Sequence, residues 1–312
     1  MTYDAMTTAS DAPPVVDQHD EVRRISRVLR DYFVLIKPSI ILLLLITTIP
    51  AMVLAAESWP SNWRIAATLI GGVLAAGGAG AVNMYIDRDI DDVMRRTRTR
   101  PIPGGRIPAR NAAILGWTMG IASGAWLAAT VNTISAVLAV GAFLFYVIVY
   151  SMWLKRTTVH NTVLGGVAGA APPLIGWAAV TGSIEWTGVL LFLVVFAWQP
   201  PHFWALALLI VDDYRDAKIP MLPAVRGEAE TKRQTLLWAA LTLAVTLALG
   251  ITAQLGVIYF AVALIGGSGF VGVAWRLYRT PGVATAPAMF RYSTSYLALL
   301  FASMAIDRLI FG

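Results

Sequence analysis

Long apolar runs separated by short polar segments make up most of this 312-residue chain. A helix that crosses a bilayer needs roughly 20 mostly apolar residues. Nine runs approach that length: about 39–56, 64–86, 112–131, 133–153, 161–181, 186–210, 235–254, 256–275 and 290–310. The pattern predicts an all-α polytopic membrane protein with about nine transmembrane helices in the lipid bilayer.

The polar segments between these runs differ in length and in charge. The long ones, at 87–111, 211–234 and 276–289, all follow even-numbered runs and are rich in Lys and Arg, whereas only Arg64 and Arg308 lie on the other side. Basic loops mark the cytoplasmic side of a membrane protein. We therefore expect a multi-pass protein of the bacterial cell (inner) membrane with a cytoplasmic N-terminus and its function on the cytoplasmic side.

The N-terminal segment differs from the rest of the chain. Residues 1–30 are polar and mixed in charge, and they contain no apolar core like that of a signal peptide. We predict a disordered cytoplasmic leader over residues 1–30 and a single transmembrane domain over residues 31–312.

The composition agrees with a membrane protein and excludes several kinds of site. The chain is 57% hydrophobic and 13% charged, and it has no cysteine. Disulfides, zinc–thiolate sites and a thiol nucleophile are therefore excluded. The net charge of +6 comes from basic residues beside the predicted spans, so nucleic acid is not an expected partner.

Acidic residues concentrate in two short stretches. Only 18 of the 312 residues are Asp or Glu, yet seven of them fall within 87–92 and 212–216. Carboxylates are costly near hydrocarbon, so their concentration beside predicted spans indicates a function.

The first stretch repeats a polar residue every four positions, at Asn83, Asp87 and Asp91. Residues four apart share one face of a helix, so the second span would carry these side chains into the mouth of the helix bundle. One or two carboxylates together with substrate phosphates are the usual ligands of Mg²⁺. We predict a magnesium and diphosphate site; the alternative is a solvated helix end, a role that suits Asp89 and Asp92.

The second stretch holds Asp212, Asp213 and Asp216 at the end of the sixth span. Carboxylates on a second helix would allow a second Mg²⁺ to bridge the same diphosphate. The alternative is that these residues are only the hydrophilic start of a loop.

Four cations near the first stretch are candidates for binding a diphosphate. Arg96 and Arg100 would share a face if the helix continued, and Arg makes paired contacts to diphosphate oxygens. Lys155 and Arg156 follow the fourth predicted span. The alternative is that these residues only set the orientation of the protein in the membrane.

His202 is the only histidine at an apolar position, and aromatic residues frame it. A lone histidine of this kind is more often packed and hydrogen-bonded than a ligand. Pro200-Pro201 and Pro172-Pro173 are both expected to interrupt a helix within the membrane, where irregular backbone usually lines a cavity. We expect the two interruptions to shape one central cavity.

Several blocks resemble the intramembrane UbiA-type prenyltransferases and, within them, the protohaem IX farnesyltransferase (haem O synthase) branch. The superfamily is marked by Asn-x-x-x-Asp-x-x-x-Asp at one helix end and a second Asp-rich motif on another helix. The branch is marked by Gln-Pro-Pro-His-Phe-Trp, at 199–204, and by Asp-Asp-Tyr followed by Pro-Met-Leu-Pro, within 212–223. The resemblance covers about residues 30–310. Lys218 departs from it, because members of the branch commonly have glycine at this position.

The resemblance implies a fold of nine transmembrane helices around a central cavity, with the active site at the cytoplasmic side and Mg²⁺ as cofactor. The implied reaction joins the farnesyl group of farnesyl diphosphate to a vinyl group of haem b and adds water, giving haem O for terminal oxidase biogenesis. Haem A synthase or oxidase assembly proteins are the implied partners.

Together, the patterns and the resemblance lead to a set of predicted site residues. We predict catalytic roles for Asn83, Asp87, Asp91 and Asp213; metal binding by Asp87, Asp91, Asp212, Asp213 and Asp216; diphosphate binding by Asn83, Arg96, Arg100, Lys155 and Arg156; and haem binding by His202.

Three alternatives remain open. A related enzyme would prenylate a quinone precursor or another aromatic acceptor, such as chlorophyllide. A secondary transporter would carry buried charges in mid-span and an inverted repeat. A non-catalytic haem chaperone would keep its function after Asp87→Ala, whereas an enzyme would lose turnover.

Overall fold

The computed structural model describes residues 18–312, except for the side chains at 18–22, 24, 39, 40 and 45, and all regular structure in this range is helical. The helices are α1 Gln18–Leu35, α2 Pro38–Ala56, α3 Asn62–Ile86, α4 Arg88–Val93, α5 Ala109–Thr130, α6 Thr133–Thr157, α7 Asn161–Thr181, α8 Trp186–Leu209, α9 Val211–Asp216, α10 Leu222–Val225, α11 Gly227–Thr252, α12 Val257–Arg279 and α13 Ala286–Phe311. Helices α6 and α12 include π-helical stretches, at Phe145–Leu154 and Val262–Gly266.

Each predicted apolar run corresponds to one helix of the structure. Within residues 18–312, eight helices are long and apolar enough to cross a membrane, namely α3, α5, α6, α7, α8, α11, α12 and α13. Helix α2 covers the first predicted run with a shorter apolar stretch, Ile41–Ala56. The prediction of an all-α membrane protein with about nine spanning helices is confirmed.

The N-terminal region differs from the predicted leader. The structure has a helix from Gln18, whereas the sequence predicted disorder through residue 30; residues 1–17 lie outside the described part. The prediction weighed the polar composition and overlooked the spacing of Ile25, Leu29 and Phe33, which places apolar side chains on one helix face. The predicted domain start at residue 31 falls inside α1.

The spanning helices form two groups of four. Helices α3, α5, α6 and α7 pack in sequence, as do α8, α11, α12 and α13, and α7 packs against α8. Helix α2 contacts α3, α7 and α13 and so joins the two groups. Small residues allow the closest approaches: a Cβ atom added at Gly78 of α3 would lie 2.6 Å from the Gly116 carbonyl oxygen of α5. The stretches around 87 and 212 each follow the first helix of a group.

The two proline pairs do not interrupt their helices, so that prediction is wrong. Helix α7 continues through Pro172-Pro173 and α8 through Pro200-Pro201. Backbone groups near a proline in lipid can be satisfied by neighbouring side chains. Thr48 donates to the Pro172 carbonyl oxygen (3.4 Å), and the Gln199 amide donates to carbonyl oxygens of Gly166 (2.9 Å) and Val195 (3.3 Å).

Two cavities open at the surface of the helix bundle. One of about 370 Å³ is lined by residues of α5 together with Tyr85. The other, of about 320 Å³, lies among α7, α8, α10 and α11 and is lined in part by His160, Trp204 and Trp238. Neither is lined by an Asp of the predicted site, and the central cavity stays a prediction.

Candidate active site

The end of α3 carries the first acidic stretch in the predicted arrangement. Asp87 connects α3 to α4, and i→i−4 bonds continue across it: the Asp87 amide donates to the Asn83 carbonyl and the Asp91 amide to the Asp87 carbonyl, both at 2.8 Å. The three side chains therefore line one face. Asn83, Asp87 and Asp91 are only 3%, 1% and 2% exposed, so this is not a solvated helix end.

Cations from three other segments contact this row. Lys155 Nζ lies 2.5 Å from Asp87 Oδ2, and the Arg100 guanidinium donates to both oxygens of Asp91 at 2.9 and 2.8 Å. Asn83 donates its amide to Asp87 Oδ2 at 2.7 Å and accepts from Lys37 Nζ at 2.5 Å. Carboxylates and cations thus alternate in one buried cluster, which suits binding of an anion together with a metal ion.

The Asp87 side chain has an oxygen available to a cation. Its Oδ1 is buried without a hydrogen-bond partner, and Arg156 Nη2 lies 3.8 Å from it. An unpaired buried carboxylate oxygen is costly, and a metal ion would satisfy it. Among residues 18–312, no three Asp, Glu or His side chains converge into a metal site by themselves, so the remaining ligands would come from the substrate and water, as Mg²⁺ commonly requires.

Only one residue of the second acidic stretch lies against the first. Asp213 is 9% exposed, and its Oδ2 accepts a hydrogen bond from the Arg96 backbone amide at 3.3 Å. The Asp212 side chain is 79% exposed and pairs with Arg215 of the same helix at 3.1 Å, and Asp216 is also exposed. The structure therefore brings Asp213, but not Asp212 or Asp216, to the loop that follows α4.

Apolar packing holds the two acidic segments together. Ile90 and Met94, at and after α4, pack with Ile219 and Met221, beyond α9, and with Ala207 of α8. Because α4 and α9 are too short to be stable alone, this cluster determines where their carboxylates lie.

Two of the four predicted cations lie at the edge of the site. Helix α4 ends at Val93 and turns follow, so Arg96 and Arg100 do not share a helix face; the Arg96 side chain is exposed. Arg156 makes a paired contact with Asp89, both bonds at 2.8 Å. That bond lowers the pKa of Asp89 to about 2, which agrees with a peripheral role for Asp89. Diphosphate binding by Arg96 and Arg156 stays a prediction.

Lys37 is a site residue that the sequence patterns did not identify. It precedes Pro38 with a left-handed backbone (φ 53°), and its side chain lies over Gly80 of α3, where an added Cβ would be 3.4 Å from the Lys37 stem. Burial, more than the charge of Arg100, lowers the pKa of Lys37 to about 7. The Lys-Pro pair at the start of the first span was the available signal, but Lys37 was not among the predicted site residues.

Two tyrosines of α6 lie beside these cations. The ring centroids of Tyr146 and Tyr150 are 5.3 Å apart, and Lys37 Nζ lies 6.0 Å from the Tyr146 centroid. Tyr150 packs on Gly165 of α7, where a side chain would collide with its ring. The aromatic pair therefore belongs to the same buried region as the acidic row.

His202 lies between α8 and α13. Its ring stacks between Trp198 (4.5 Å) and Phe290 (4.4 Å), and its Nδ1 is 2.7 Å from Ser293 Oγ. With the Ser293 hydroxyl donating to the Phe290 carbonyl at 2.7 Å, the tautomer that completes the pair is the one with a proton on Nδ1. Nε2 then keeps its lone pair, which is the form that binds iron. Haem binding by His202 stays a prediction.

Comparison with solved structures relates this fold to known membrane proteins. A structure of digeranylgeranylglyceryl phosphate synthase matches with a TM-score of 0.76 at 16% identity, over 91% of this chain and 99% of that protein. A UbiA homologue from Archaeoglobus fulgidus bound to DMAPP and Mg²⁺ matches with a TM-score of 0.58 at 16% identity, over 88% and 99%. At this identity the similarity concerns the fold.

Sequence comparison gives the family. The model of the UbiA prenyltransferase family matches residues 44–300. A protoheme IX farnesyltransferase of Clavibacter michiganensis subsp. michiganensis (strain NCPPB 382) is 48% identical over 92% of this chain and 94% of its own length. That of Synechocystis sp. (strain ATCC 27184 / PCC 6803 / Kazusa) is 46% identical over 94% and 92%. The chain therefore belongs to the UbiA prenyltransferase family, in the branch of these farnesyltransferases.

Proposed function

We propose that this protein transfers the farnesyl group of farnesyl diphosphate to a vinyl group of haem b, with addition of water, to give haem O. The observation that carries the proposal is the buried row Asn83, Asp87 and Asp91, whose side chains contact Lys37, Lys155 and Arg100. Such a cluster suits a diphosphate bound with a divalent metal. The names of the relatives supply the farnesyl donor and the haem acceptor.

Mg²⁺ is the proposed cofactor. Asp87 and Asp91 would hold it, because Asp87 Oδ1 is buried without a hydrogen-bond partner. Asp213 is the residue of the second stretch that contacts the loop after α4. The UbiA homologue from Archaeoglobus fulgidus, which has a similar fold, is bound to DMAPP and Mg²⁺ in its structure. When bound, the ion supplies positive charge that neutralises the diphosphate as it leaves. Asp212 and Asp216, which are exposed, would act only if α9 moved.

The protein's own cations act on the leaving group. Lys37, Lys155 and Arg100 already reach the acidic row, so a diphosphate held there accepts hydrogen bonds from all three. As the allylic C–O bond breaks, negative charge grows on the diphosphate, and fixed cations in a buried site stabilise that charge strongly. Arg96 and Arg156, at the edge, would assist from the solvent side.

Formation of the new bond needs no enzyme nucleophile. The π electrons of the haem vinyl group form a C–C bond with the farnesyl cation, and the resulting cation beside the macrocycle takes up water and releases a proton. The Tyr146 ring lies beside Lys37, and Tyr150 packs against Tyr146, so the two rings would lie near the allylic cation and stabilise it through cation–π contact. His202, with Nε2 unprotonated, is the proposed contact to haem iron.

The location of the site fits a reaction at a membrane surface. The row at the end of α3, Lys37 before α2, Lys155 near the end of α6 and Asp213 after α8 all lie on one side of the bundle. We propose that this is the cytoplasmic side of the bacterial inner membrane, with the product passed to haem A synthase or to oxidase assembly.

The proposal is tested by supplying the purified protein in liposomes with haem b, farnesyl diphosphate and Mg²⁺ and measuring haem O by mass spectrometry. A quinone precursor offered in a parallel reaction tests the acceptor. Haem O is expected from the wild type and not from Asp87→Ala. If folded wild-type protein binds haem and forms no haem O, the chaperone alternative holds; a prenylated quinone precursor would identify the other acceptor.

A further inference from the structure

Helix α1 lies on the surface and presents three different faces. Asp31 and Leu35 are buried at 7% and 0% exposure, and Leu35 packs with Ala81 and Met84 of α3. On a second face, the apolar side chains Ile25, Leu29 and Phe33 are 54%, 65% and 56% exposed. The exposed arginines Arg23, Arg27 and Arg30 occupy the third face.

This arrangement is that of a helix at a membrane interface. Residues spaced by four form a stripe along a helix, and the stripe Ile25, Leu29 and Phe33 is too exposed for a surface that faces water. An amphipathic helix with basic residues on its polar side lies in the plane of the headgroups with its apolar side towards the acyl chains. Only Ile36 and Lys37 separate α1 from α2, so α1 is held at the level where the first membrane helix begins.

The buried face of α1 connects it to the candidate active site. Asp31 accepts two hydrogen bonds from the Arg106 guanidinium, both at 3.0 Å, and Arg106 also donates to the Thr99 carbonyl at 3.0 Å. Arg100, next to Thr99, is the residue that pairs with Asp91. At its other end, α1 leads directly into Lys37. Helix α1 is therefore connected to two segments that supply cations to the site, the loop that carries Arg100 and the turn that carries Lys37.

We propose that α1 binds the anionic headgroups of the cytoplasmic leaflet and inserts the stripe Ile25, Leu29 and Phe33 at the boundary of the acyl chains. Through the Asp31–Arg106 pair, this docking positions the loop that carries Arg100. The assignment to the cytoplasmic leaflet, and the link to prenyl diphosphate binding, rest on the orientation and function proposed above.

The charge of the helix favours a lipid surface over a second copy of the chain. Arg23, Arg27 and Arg30 are exposed on the polar side of the same helix, so an anionic leaflet offers partners to the arginines and to the apolar stripe together, whereas a second copy that covered the stripe would leave the arginines unpaired. An anionic leaflet attracts each basic residue near its surface, with a gain of about fivefold in affinity per residue.

The absence of cysteine from the sequence allows a direct test. Single-cysteine variants Leu29→Cys, on the stripe, and Arg27→Cys, on the opposite side, carry a nitroxide spin label in the full protein, reconstituted in vesicles of phosphatidylcholine alone or with phosphatidylglycerol. Oxygen, which concentrates in lipid, and a water-soluble nickel chelate report the surroundings of each label. We expect the label at 29 to be reached mainly by oxygen in anionic vesicles, and the label at 27 mainly by the chelate.

Equal access of the nickel chelate to both labels would overturn the proposal. A label at 29 shielded from both reagents would show that a second copy or another protein covers the stripe, which also overturns it. Neither readout depends on turnover, so failure here is distinct from failure of the proposed enzyme activity.

The link to the active site needs a second measurement. Affinity for a non-reactive farnesyl thiodiphosphate is compared between the two vesicle types for the wild type, for Arg23→Gln/Arg27→Gln/Arg30→Gln, for Asp31→Asn, and for the exchanged pair Asp31→Arg/Arg106→Asp. We expect the wild type to bind several times more tightly in anionic vesicles, the triple variant to lose this difference, Asp31→Asn to bind weakly in both, and the exchanged pair to recover. Wild-type affinity that is the same in both lipids would overturn the positioning role.

Discussion

The two acidic stretches share a residue type, a four-residue spacing and a position after the first helix of a four-helix group, yet the structure treats them differently. Asp87 and Asp91 are almost completely buried and each contacts a cation from another segment. The Asp212 side chain is 79% exposed and pairs with Arg215 of its own helix. Equivalent positions in the chain have thus become a buried cluster of carboxylates and cations in one group and mainly a surface in the other.

The difference comes from what surrounds each helix end. The end of α3 is enclosed by Lys37 before α2 and by Lys155 near the end of α6, so its carboxylates are desolvated and paired. The second stretch has one buried carboxylate, Asp213, because this is the carboxylate of α9 that faces the loop after α4. A buried charge requires a partner. Burial of a carboxylate beside cations from other segments therefore indicates a functional site more strongly than a high density of Asp residues does.

The largest expected effect tests the two stretches directly. Asp87→Asn removes the charge of the most enclosed carboxylate with almost no change of shape, and we expect kcat/KM to fall by about 10³-fold or more, because this charge is needed to hold the metal and diphosphate. Asp212→Asn, its matched control in the second stretch, is expected to change kcat/KM by less than about threefold, since an exposed pair contributes little. Haem O formation measured by mass spectrometry compares the two.

Comparable losses of kcat/KM in Asp87→Asn and Asp212→Asn would show that α9 closes over the site during catalysis. Asp212 would then be as enclosed as Asp87 in the reacting enzyme. A Mg²⁺ titration separates the causes: Asp87→Asn is expected to need far more Mg²⁺ for half-maximal rate, and Asp212→Asn the same amount as the wild type.

Within the second stretch, Asp213 should matter more than Asp216. Asp213 is buried and accepts the Arg96 amide, so Asp213→Asn should lower kcat/KM by about 10- to 100-fold, the size expected when a residue that orients a metal site is lost. The exposed Asp216, replaced by Asn, should lower it by less than threefold. The reverse order would mean that the Asp-x-x-x-Asp spacing of 212 and 216, and not burial, identifies the functional pair.

A smaller effect is expected for the neighbouring cations Lys155 and Arg156. Lys155 lies 2.5 Å from Asp87, whereas Arg156 bonds mainly to the exposed Asp89. Lys155→Gln should lower kcat/KM for farnesyl diphosphate by about tenfold, because a charge-assisted contact to a buried anion is lost. Arg156→Gln should lower it by about twofold. Equal losses would show that Arg156 turns towards the substrate.

Much of the fold could be predicted because length and apolarity alone define a membrane helix. The nine runs, and the face shared by Asn83, Asp87 and Asp91, follow from local periodicity and are present in the structure. An interruption was predicted at each proline pair, but both helices continue, and side chains of α2 and α8 bond to backbone carbonyls of α7 near Pro172. Such contacts between helices are not contained in a local pattern.

The site was harder to predict where it depends on long-range contacts. Lys37 lies 46 positions from Asn83 and Lys155 lies 68 from Asp87, so only the packed structure selects them from the many basic residues near membrane ends. For the same reason, spacing could not show which of Asp212, Asp213 and Asp216 is buried. The three differ mainly in whether α4 and the loop after it cover them.

The smallest effect concerns Lys37, which completes the enclosure that the second stretch lacks. Burial lowers its pKa to about 7, so in the free protein the side chain is charged below pH 7 and becomes neutral as the pH rises through 7. Since kcat/KM reports ionisation of the free enzyme, kcat/KM for farnesyl diphosphate should fall about fivefold between pH 7 and pH 8 as the charged fraction declines. Lys37→Arg keeps its charge in this range and should flatten the profile. If kcat/KM for wild type and Lys37→Arg fell in parallel with pH, the pH dependence would belong to another group. Lys37 would then not be one of the cations that act at the first stretch.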